Sequence, residues 1–160
     1  MQFLYSYNYL LGIGYVMGLV DISGKPIVER EAVAKGTILL KHETVSLIKE
    51  GKVEKGDPLT ISKISAINAV KITSNLVPFC HQIPIDSVNV DFDVKNSSIT
   101  VTVKVKSVSK TGVEIEALSG VLNALLNIWD VVKKYEKDSS GNYPTTLIEN
   151  VKITSKVKRQ

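Results

Sequence analysis

A cysteine and a histidine lie side by side in the stretch LVPFCHQIPI, residues 76–85. Cys80 is the only cysteine of the chain, and His81 is one of two histidines. An imidazole beside a thiol can donate a proton, bind a metal or form half of a nucleophilic pair, although a packed thiol and a hydrogen-bonded ring are equally compatible with this sequence. Pro78 and Pro84 fix their own φ and bias the preceding residues away from helical geometry, which predicts an extended segment.

Two carboxylates stand two positions apart in the stretch KTGVEIEAL, residues 110–118. Side chains at this spacing diverge on a helix but share one face of an extended strand. We therefore expect the strand to continue to about Glu116 and the next helix to begin near Ala117. Glu114 and Glu116 would then face the same way.

A further acid and base stand three positions apart in the stretch IWDVVKK, residues 128–134. On a helix, Asp130 and Lys133 would share a face, where such a pair most often forms a plain surface ion pair. Asp130 follows an apolar run that ends in Trp129, and a partly desolvated carboxyl beside a lysine has an adjustable pKa. The pair is therefore also a candidate for acid–base chemistry.

One lysine stands just before a predicted helix. Lys55 and Gly56 precede Asp57 and Pro58, which suit the N-cap and the first helical position of a helix running to about Asn75. The exposed N–H groups at a helix N-terminus favour an anion, although a Lys-Gly pair is also common in plain loops.

The elements around these residues alternate between strand and helix. Residues 88–94 and 99–105 alternate apolar and polar side chains on either side of a turn, which predicts an antiparallel hairpin. The other predicted elements are an exposed arm at 21–35, a short strand at 37–40, a helix at 42–50 ending at Gly51, a broadly apolar helix from 117 to about 134 that covers the sheet and can touch another subunit, a loop at 136–145, and a last strand around 148–153 before a basic tail.

Composition limits the class of protein. The chain has 160 residues, of which 44% are apolar and 22% charged, which suits one folded domain with a single core. One cysteine excludes an intramolecular disulfide and fits a reducing compartment. The net charge of +4 indicates an anionic partner.

The uncharged leading stretch, residues 1–16, is too short to span a bilayer. The residues from Met17 onward read as a more conventional protein N-terminus, so we expect translation to start naturally at Met17. We therefore expect residues 1–19 to be an extension and residues 20–160 to be the domain.

Six segments taken together resemble one family. They are VDIS at 20–23, KGD at 55–57, LVPFCHQIPI at 76–85, VDF at 90–92, KTGVEIEAL at 110–118 and IWDVVKK at 128–134. In these segments the chain resembles the molybdenum cofactor biosynthesis protein C family, the cyclic pyranopterin monophosphate synthases. The resemblance implies a ferredoxin-like α+β fold, with an antiparallel sheet and helices packed on one face. It also implies a homohexamer, a trimer of dimers with active sites at a dimer interface.

The resemblance further implies the reaction. The substrate would be 3′,8-cyclo-7,8-dihydroguanosine 5′-triphosphate, which a phosphorus–oxygen lyase of the cytoplasm converts to cyclic pyranopterin monophosphate while diphosphate leaves. No cofactor is required, although Mg²⁺ can accompany the triphosphate. Neither a nucleic acid nor a membrane is expected as a partner.

Roles for individual residues follow from the matching motifs. Asp130 is the leading acid–base candidate, partnered by Lys133, and Lys55 matches the essential lysine of the family. Glu114 and His81 complete the candidate catalytic set. The candidate substrate-binding residues are Phe79, Cys80, His81, Ile115, Glu116, Arg30, Asp21 and Lys71. Among them, Arg30 suits bidentate phosphate binding, and the Cys80 thiol has no required role. No residue is assigned to a metal.

The C-terminus departs from the family pattern. Residues 154–160 lack the two glycines of the usual tail, which places phosphate binding by the tail in doubt and leaves Lys156 and Lys158 to supply charge. Two other functions stay open. A catalytically inactive assembly subunit is disfavoured because the candidate catalytic residues and Glu116 occur together, but the altered tail keeps it open. A basic RNA-binding module is disfavoured, because the polar face of the hairpin carries threonine and lysine but no aromatic side chains for base stacking.

Overall fold

The structure of the protein, a computed structural model, describes residues 18–159. The predicted extension, residues 1–19, lies almost wholly outside the described residues and stays a prediction. The elements in chain order are β1 (Val28–Leu39), α1 (His42–Lys49), α2 (Pro58–Lys71), the single turn α3 (Thr73–Leu76), β2 (Ser87–Val94), β3 (Ser98–Ser109), α4 (Glu114–Glu136) and β4 (Leu147–Arg159).

The four strands form one antiparallel sheet in the order β2-β3-β1-β4. The connection from β1 to β2 carries α2, the connection from β3 to β4 carries α4, and these two helices pack against each other and against the sheet. This strand order and helix placement make the ferredoxin-like α+β fold that the family resemblance implied.

The core lies between the sheet and α4. Alternate residues of β3 point toward the helix and have no exposed surface, and the helix meets them with its own fully buried side chains. These residues are Ile99, Val101, Val103, Val105, Val121, Leu125 and Ile128. By length and composition α4 could cross a membrane, but half of its most apolar window is buried inside the fold, as is typical of a core helix.

The strand β1 corrects two predictions, the exposed arm at 21–35 and the short strand at 37–40, since one strand of 12 residues replaces most of both. The exposed arm predicted at 21–35 is wrong from Val28 onward, because β1 runs from there to Leu39 and pairs with β3 on one side and β4 on the other. Its buried inward positions include Ala32, Ala34 and Gly36. Such small residues give a weak apolar alternation even in a central strand.

The last strand is longer than predicted. The expected basic tail is wrong, because β4 continues to Arg159, which lies opposite Glu29 of β1. The pairing register shifts between Val33 and Ala34 and again between Lys35 and Thr37. Bulges of this kind disturb the alternation of side chains, which explains why the sequence pattern of β4 is irregular.

The predicted end of α1 and the predicted start of α2 are confirmed. The helix α1 ends near Gly51, which has a φ of 66°, and the Asp57 carboxylate caps α2 by accepting from the N–H groups of Leu59 and Thr60. The predicted continuation of α2 to Asn75 is wrong, because the chain breaks at Ile72 before the short α3.

The extended segment predicted for the stretch LVPFCHQIPI, residues 76–85, is only partly confirmed. The N–H of Cys80 donates to the carbonyl oxygen of Val77 at 2.9 Å, so the chain turns through Pro78 and Phe79 instead of running extended. Residues 81–86 then lead without regular secondary structure into β2. The hairpin itself is confirmed, with Val94 opposite Ile99 in the pairing register.

Candidate active site

Three charged side chains meet near the end of α4. The Nζ of Lys133 lies 2.8 Å from Oδ1 of Asp130, and the Nζ of Lys55 lies 3.1 Å from Oδ2. Hydrogen bonds from Lys133 and then Lys55 hold the pKa of Asp130 below its usual range. The same contact raises the pKa of Lys133. At neutral pH the group is therefore one carboxylate between two ammonium ions.

The elements that carry these residues explain their approach. Val131 and Val132 of α4 are buried, so the preceding residue, Asp130, stands at the exposed side of the helix. Lys55 lies in the loop between α1 and α2, where the buried Val53 anchors a turn closed by a hydrogen bond from the Gly56 N–H to the Val53 carbonyl oxygen. The turn directs the lysine ammonium to both the carboxylate and the backbone carbonyl of Asp130.

The predicted anion site at the start of α2 is not supported by its backbone. Asp57 already accepts hydrogen bonds from the first free N–H groups of the helix, and its own negative charge opposes an anion there. Lys55 belongs instead with Asp130, 75 positions away in the sequence.

A second group of ionisable side chains lies at the opposite end of α4. Glu116 is only 3% exposed, and its Oε1 accepts a hydrogen bond from the Cys80 thiol at 3.3 Å. Its Oε2 has no hydrogen-bond partner within the described residues. Burial raises the pKa of Glu116. Burial and the neighbouring carboxyl raise the pKa of Cys80 to about 11, so the thiol is a hydrogen-bond donor and not a ready nucleophile.

The shared face predicted for the two glutamates is wrong. The strand β3 ends at Ser109, whose hydroxyl donates to the Thr111 carbonyl oxygen at 2.8 Å, and α4 begins at Glu114. On the first helical turn the two carboxylates diverge. Glu114 forms an ion pair with Lys156 of β4, whereas Glu116 turns inward.

The basic residues of β4 join this second group. Lys156 and Lys158 lie opposite Ala32 and Arg30 of the central strand in the pairing register. Arg30 donates to the carbonyl oxygen of Lys110 across 3.4 Å, and its buried Nε has no hydrogen-bond partner within the described residues. Sequence reasoning left the two β4 lysines in a loose tail. Their placement depends on strand pairing, for which the local sequence gives no signal.

The segment before β1 folds against the same region. The Nε2 of His81 lies 2.7 Å from the Val20 carbonyl oxygen, so this nitrogen carries the proton in the contact. Lys110 donates to the Ser23 carbonyl oxygen at 2.8 Å. The Asp21 carboxylate accepts from the Ser23 N–H at 2.8 Å, and this hydrogen bond lowers the Asp21 pKa.

The remaining candidates are exposed. Phe79 lies in the turn before Cys80 and Ile115 on the first turn of α4, and both present large apolar side chains to solvent. Lys71 ends α2 with an exposed side chain, and the structure gives it no ion pair within residues 18–159.

One chain does not bring all of the candidates together. Asp130 stands 14 positions after Glu116 on α4, which at 1.5 Å per residue separates the two by about 21 Å along the helix. We call Lys55, Asp130 and Lys133 the Lys55 group, and we call Glu116, Cys80 and the neighbouring charged residues the Glu116 group. These are two part-sites at opposite ends of one helix. No cluster of three histidine, cysteine, aspartate or glutamate side chains suited to a metal occurs in residues 18–159.

Comparisons with known proteins agree on one family. The sequence model of the MoaC family matches residues 19–158. A relative from Methanococcoides burtonii, named a probable cyclic pyranopterin monophosphate synthase, is 56% identical over 140 residues, covering 88% of each chain. A relative of the same name from Pyrococcus horikoshii has the same identity and coverage. A relative from Methanothermobacter thermautotrophicus, 49% identical over 140 residues and 88% of each chain, is named a probable accessory protein of that synthase.

Proposed function

The chain belongs to the MoaC family, and we propose that it is a cyclic pyranopterin monophosphate synthase. It would convert 3′,8-cyclo-7,8-dihydroguanosine 5′-triphosphate to cyclic pyranopterin monophosphate. In the phosphate step a substrate hydroxyl oxygen bonds to the α-phosphorus, the bond from that phosphorus to the bridging oxygen breaks, and diphosphate leaves. The enzyme would therefore be a phosphorus–oxygen lyase, working in the cytoplasm.

The observation that carries this proposal is the carboxylate of Asp130 held between Lys55 and Lys133. An ionised carboxylate is ready to accept a proton, and the two ammonium groups stabilise negative charge that develops beside it. We assign Asp130 as the base and Lys133 as the proton donor, since their ion pair favours those starting protonation states.

The second part-site supports substrate binding. The buried Glu116, with its raised pKa, suits hydrogen bonding to the polar edge of a pterin precursor. Arg30, Lys156 and Lys158 supply positive charge for the triphosphate. Glu114, whose ion pair with Lys156 orients that lysine, keeps its place in the candidate set.

The exposed candidates have roles that need the bound substrate. Phe79 and Ile115 offer apolar surface next to the Glu116 group. His81 and Asp21 belong to the contacts that hold the segment before β1, and Lys71 adds a cation at the end of α2. These assignments are proposals that follow from the motifs.

A complete site would combine two subunits. The two part-sites are about 21 Å apart on α4, and large apolar side chains stay exposed on α2, α3 and α4 and in the turns that follow α2 and α3. These are Ile64, Ile72, Leu76, Phe79, Ile115, Leu122 and Leu126. An apolar surface of this kind is typical of a subunit interface. We propose a homohexamer, a trimer of dimers, in which one subunit supplies the Lys55 group and its partner the Glu116 group.

A magnesium ion, if one takes part, would arrive on the triphosphate. The described residues offer no metal-binding cluster, and Mg²⁺ bound to phosphate oxygens needs few protein ligands. That no cofactor is required stays a prediction from the family resemblance.

RNA binding has no support in the open face of the sheet. The exposed side chains of β2 are Asn89, Asp91 and Asp93, which include acidic groups and no aromatic ring for stacking. An inactive assembly subunit remains the outcome to exclude by assay.

The first experiment is turnover of the cyclic dihydroguanosine triphosphate by the purified protein, followed by diphosphate release and by detection of the pterin product. Asp130→Asn keeps the shape of the side chain but removes its charge, and we expect it to lose at least a hundredfold in rate. An assembled parent without turnover would contradict the enzyme assignment and support the assembly role.

A mixing experiment tests the shared site. Asp130→Asn and Glu116→Gln subunits, each inactive alone, are mixed after dissociation and reassembled. If one site draws on both subunits, mixed dimers hold one intact site, and activity returns to about a quarter of the parent value for random pairing. Recovery no greater than that of the separate variants would contradict the arrangement. Mass determination of the intact assembly tests the hexamer.

A further inference from the structure

The loop that carries Lys55 is tied to α4 by a residue outside the candidate set. The backbone N–H of Glu54 donates to the hydroxyl oxygen of Tyr135 at 3.0 Å. The same loop makes a second contact, an ion pair between Glu54 and Lys134, and the Lys134 ammonium lies 5.0 Å from the centre of the Tyr135 ring. The backbone next to Lys55 therefore rests on the helix that also carries Asp130.

Tyr135 itself is held from the other side. Its ring packs against the core, and its carbonyl oxygen accepts from the Lys41 ammonium at 3.2 Å. The next residue, Glu136, is fully buried and accepts from the Lys41 backbone N–H with both oxygens, at 3.1 and 3.2 Å. The Thr146 hydroxyl completes this network by donating to the same carboxylate. These contacts fix the end of α4 and so fix the position of the Tyr135 hydroxyl.

The strength of the two loop contacts differs. Glu54 and Lys134 have side chains that are largely exposed, and a surface ion pair of this kind contributes little. The hydrogen bond to Tyr135 involves the backbone of the turn that contains Lys55, so it constrains the path of the chain and not merely one flexible side chain. Loss of the phenol oxygen would release the loop at the residue next to Lys55.

We propose that Tyr135 is a positioning residue, whose hydroxyl holds the 53–56 turn so that the Lys55 ammonium meets Asp130 in catalytic geometry. This inference rests on the proposed catalytic role of Lys55. A displacement of about 1 Å at a reacting group can reduce a rate up to a hundredfold. A modest loosening of the turn should therefore affect turnover more than folding.

The test begins with Tyr135→Phe, which removes one oxygen and keeps the ring in the core. We expect hydrogen exchange at the backbone of residues 53–56 to become faster, as measured by mass spectrometry of peptides from the assembled protein. We expect kcat to fall about tenfold. Thr146→Val is the matched control, because it removes a hydrogen bond to Glu136 at the same end of α4 without touching the loop.

A double-mutant cycle separates positioning from general destabilisation. In a Lys55→Met background the Tyr135→Phe change should have no further effect on turnover, because the group that it positions is gone. Glu54→Gln, which removes the surface ion pair but keeps the backbone N–H, should leave both exchange and turnover near the parent values.

Two results would overturn the proposal: unchanged exchange at residues 53–56 in Tyr135→Phe, or an equal loss of turnover with and without Lys55. Exchange needs no substrate, so a parent without turnover would contradict the proposed function while the exchange comparison would still decide whether Tyr135 holds the loop.

Discussion

The Cys80 thiol and the Glu116 carboxyl form a hydrogen-bonded pair, with the sulfur 3.3 Å from Oε1, that joins the turn after α3 to the first turn of α4. The Glu116 carboxylate makes ionisation of the Cys80 thiol less favourable, whereas the thiol, as a hydrogen-bond donor, stabilises the ionised carboxylate and lowers the pKa of Glu116. Burial disfavours the charged form of both groups and is the largest cause of the pKa shift in each. Burial therefore outweighs the hydrogen bond at Glu116, and the pKa of each group is raised above its ordinary value.

The first prediction concerns the reactivity of Cys80. Its pKa of about 11, against about 8.5 for a free cysteine, lowers the thiolate fraction at pH 8 by roughly two-hundredfold, and only the thiolate is alkylated quickly. We expect iodoacetamide to label the folded protein far more slowly than the protein in urea. The rate should still be rising at pH 10, as measured by intact mass.

Glu116→Gln is the informative variant in that measurement. It removes the acidic partner but keeps a polar side chain of the same size, so labelling should become faster than in the parent and remain slower than in urea, because burial of the thiol persists. A labelling rate that levels off below pH 9 in the parent would contradict the raised pKa.

The second prediction concerns stability and pH. Burial raises the folded-state pKa of Glu116 above 4.5, its ordinary value, so the folded protein binds this proton more tightly than the unfolded chain does. The contribution of Glu116 to the free energy of unfolding is therefore largest below pH 4.5 and falls as the pH rises through the folded-state pKa. Glu116→Gln should lose this dependence.

Urea unfolding between pH 4 and pH 8, at one fixed protein concentration, measures the difference between parent and variant. The exposed Glu43→Gln serves as a control for removing a carboxylate, because Glu43 is exposed on the first turn of α1. A constant difference between the parent and Glu116→Gln over this range would show that Glu116 has an ordinary pKa.

Local chemistry made part of the fold predictable. The hairpin followed from strict alternation over β2 and β3, and the start of α2 followed from Asp57 and Pro58, which act through neighbouring residues alone. The start of β1 was missed because its buried face contains alanine and glycine, and pairing on both sides supplies the stabilisation that apolar side chains do not.

The site was predictable only through the resemblance. No local rule joins Lys55 to Asp130, because their contact depends on α4 packing beside the loop. The direction of Glu116 was wrong for a related reason: a helix start at Glu114 in place of a continued strand turns its side chain toward the core. Tyr135 gave no signal of its own, since its partner is a backbone N–H and not a motif residue.

The third prediction concerns Gly36, which allows α4 to lie close to β1. A Cβ at this position would lie 2.8 Å from Cδ1 of Leu125 and Cγ1 of Val121, and 2.9 Å from Cγ2 of Val151. Overpacking of a core usually costs about 1–3 kcal/mol, and we expect Gly36→Ala to lower the free energy of unfolding by that amount. Gly24→Ala, where a Cβ would meet nothing within 4 Å, should change it little. Equal stability of the two variants in urea would contradict this packing.

The last prediction ranks the two lysines that surround Asp130. Their hydrogen bonds hold its pKa below 3.8, with Lys133 as the larger cause and Lys55 as the smaller. A depressed carboxyl pKa contributes stability that is present above the ordinary value and is lost as the pH falls through the folded-state pKa. Lys133→Met should therefore raise the Asp130 pKa more than Lys55→Met does, as followed by the carbon-13 carboxyl signal between pH 2.5 and pH 6. Lys134→Met removes a nearby cation that pairs with Glu54, so it should leave the Asp130 pKa almost unchanged. If Lys134→Met raised it as much as Lys133→Met, the pKa would reflect the general charge of the helix end, and the paired geometry that we assign to catalysis would lose its support.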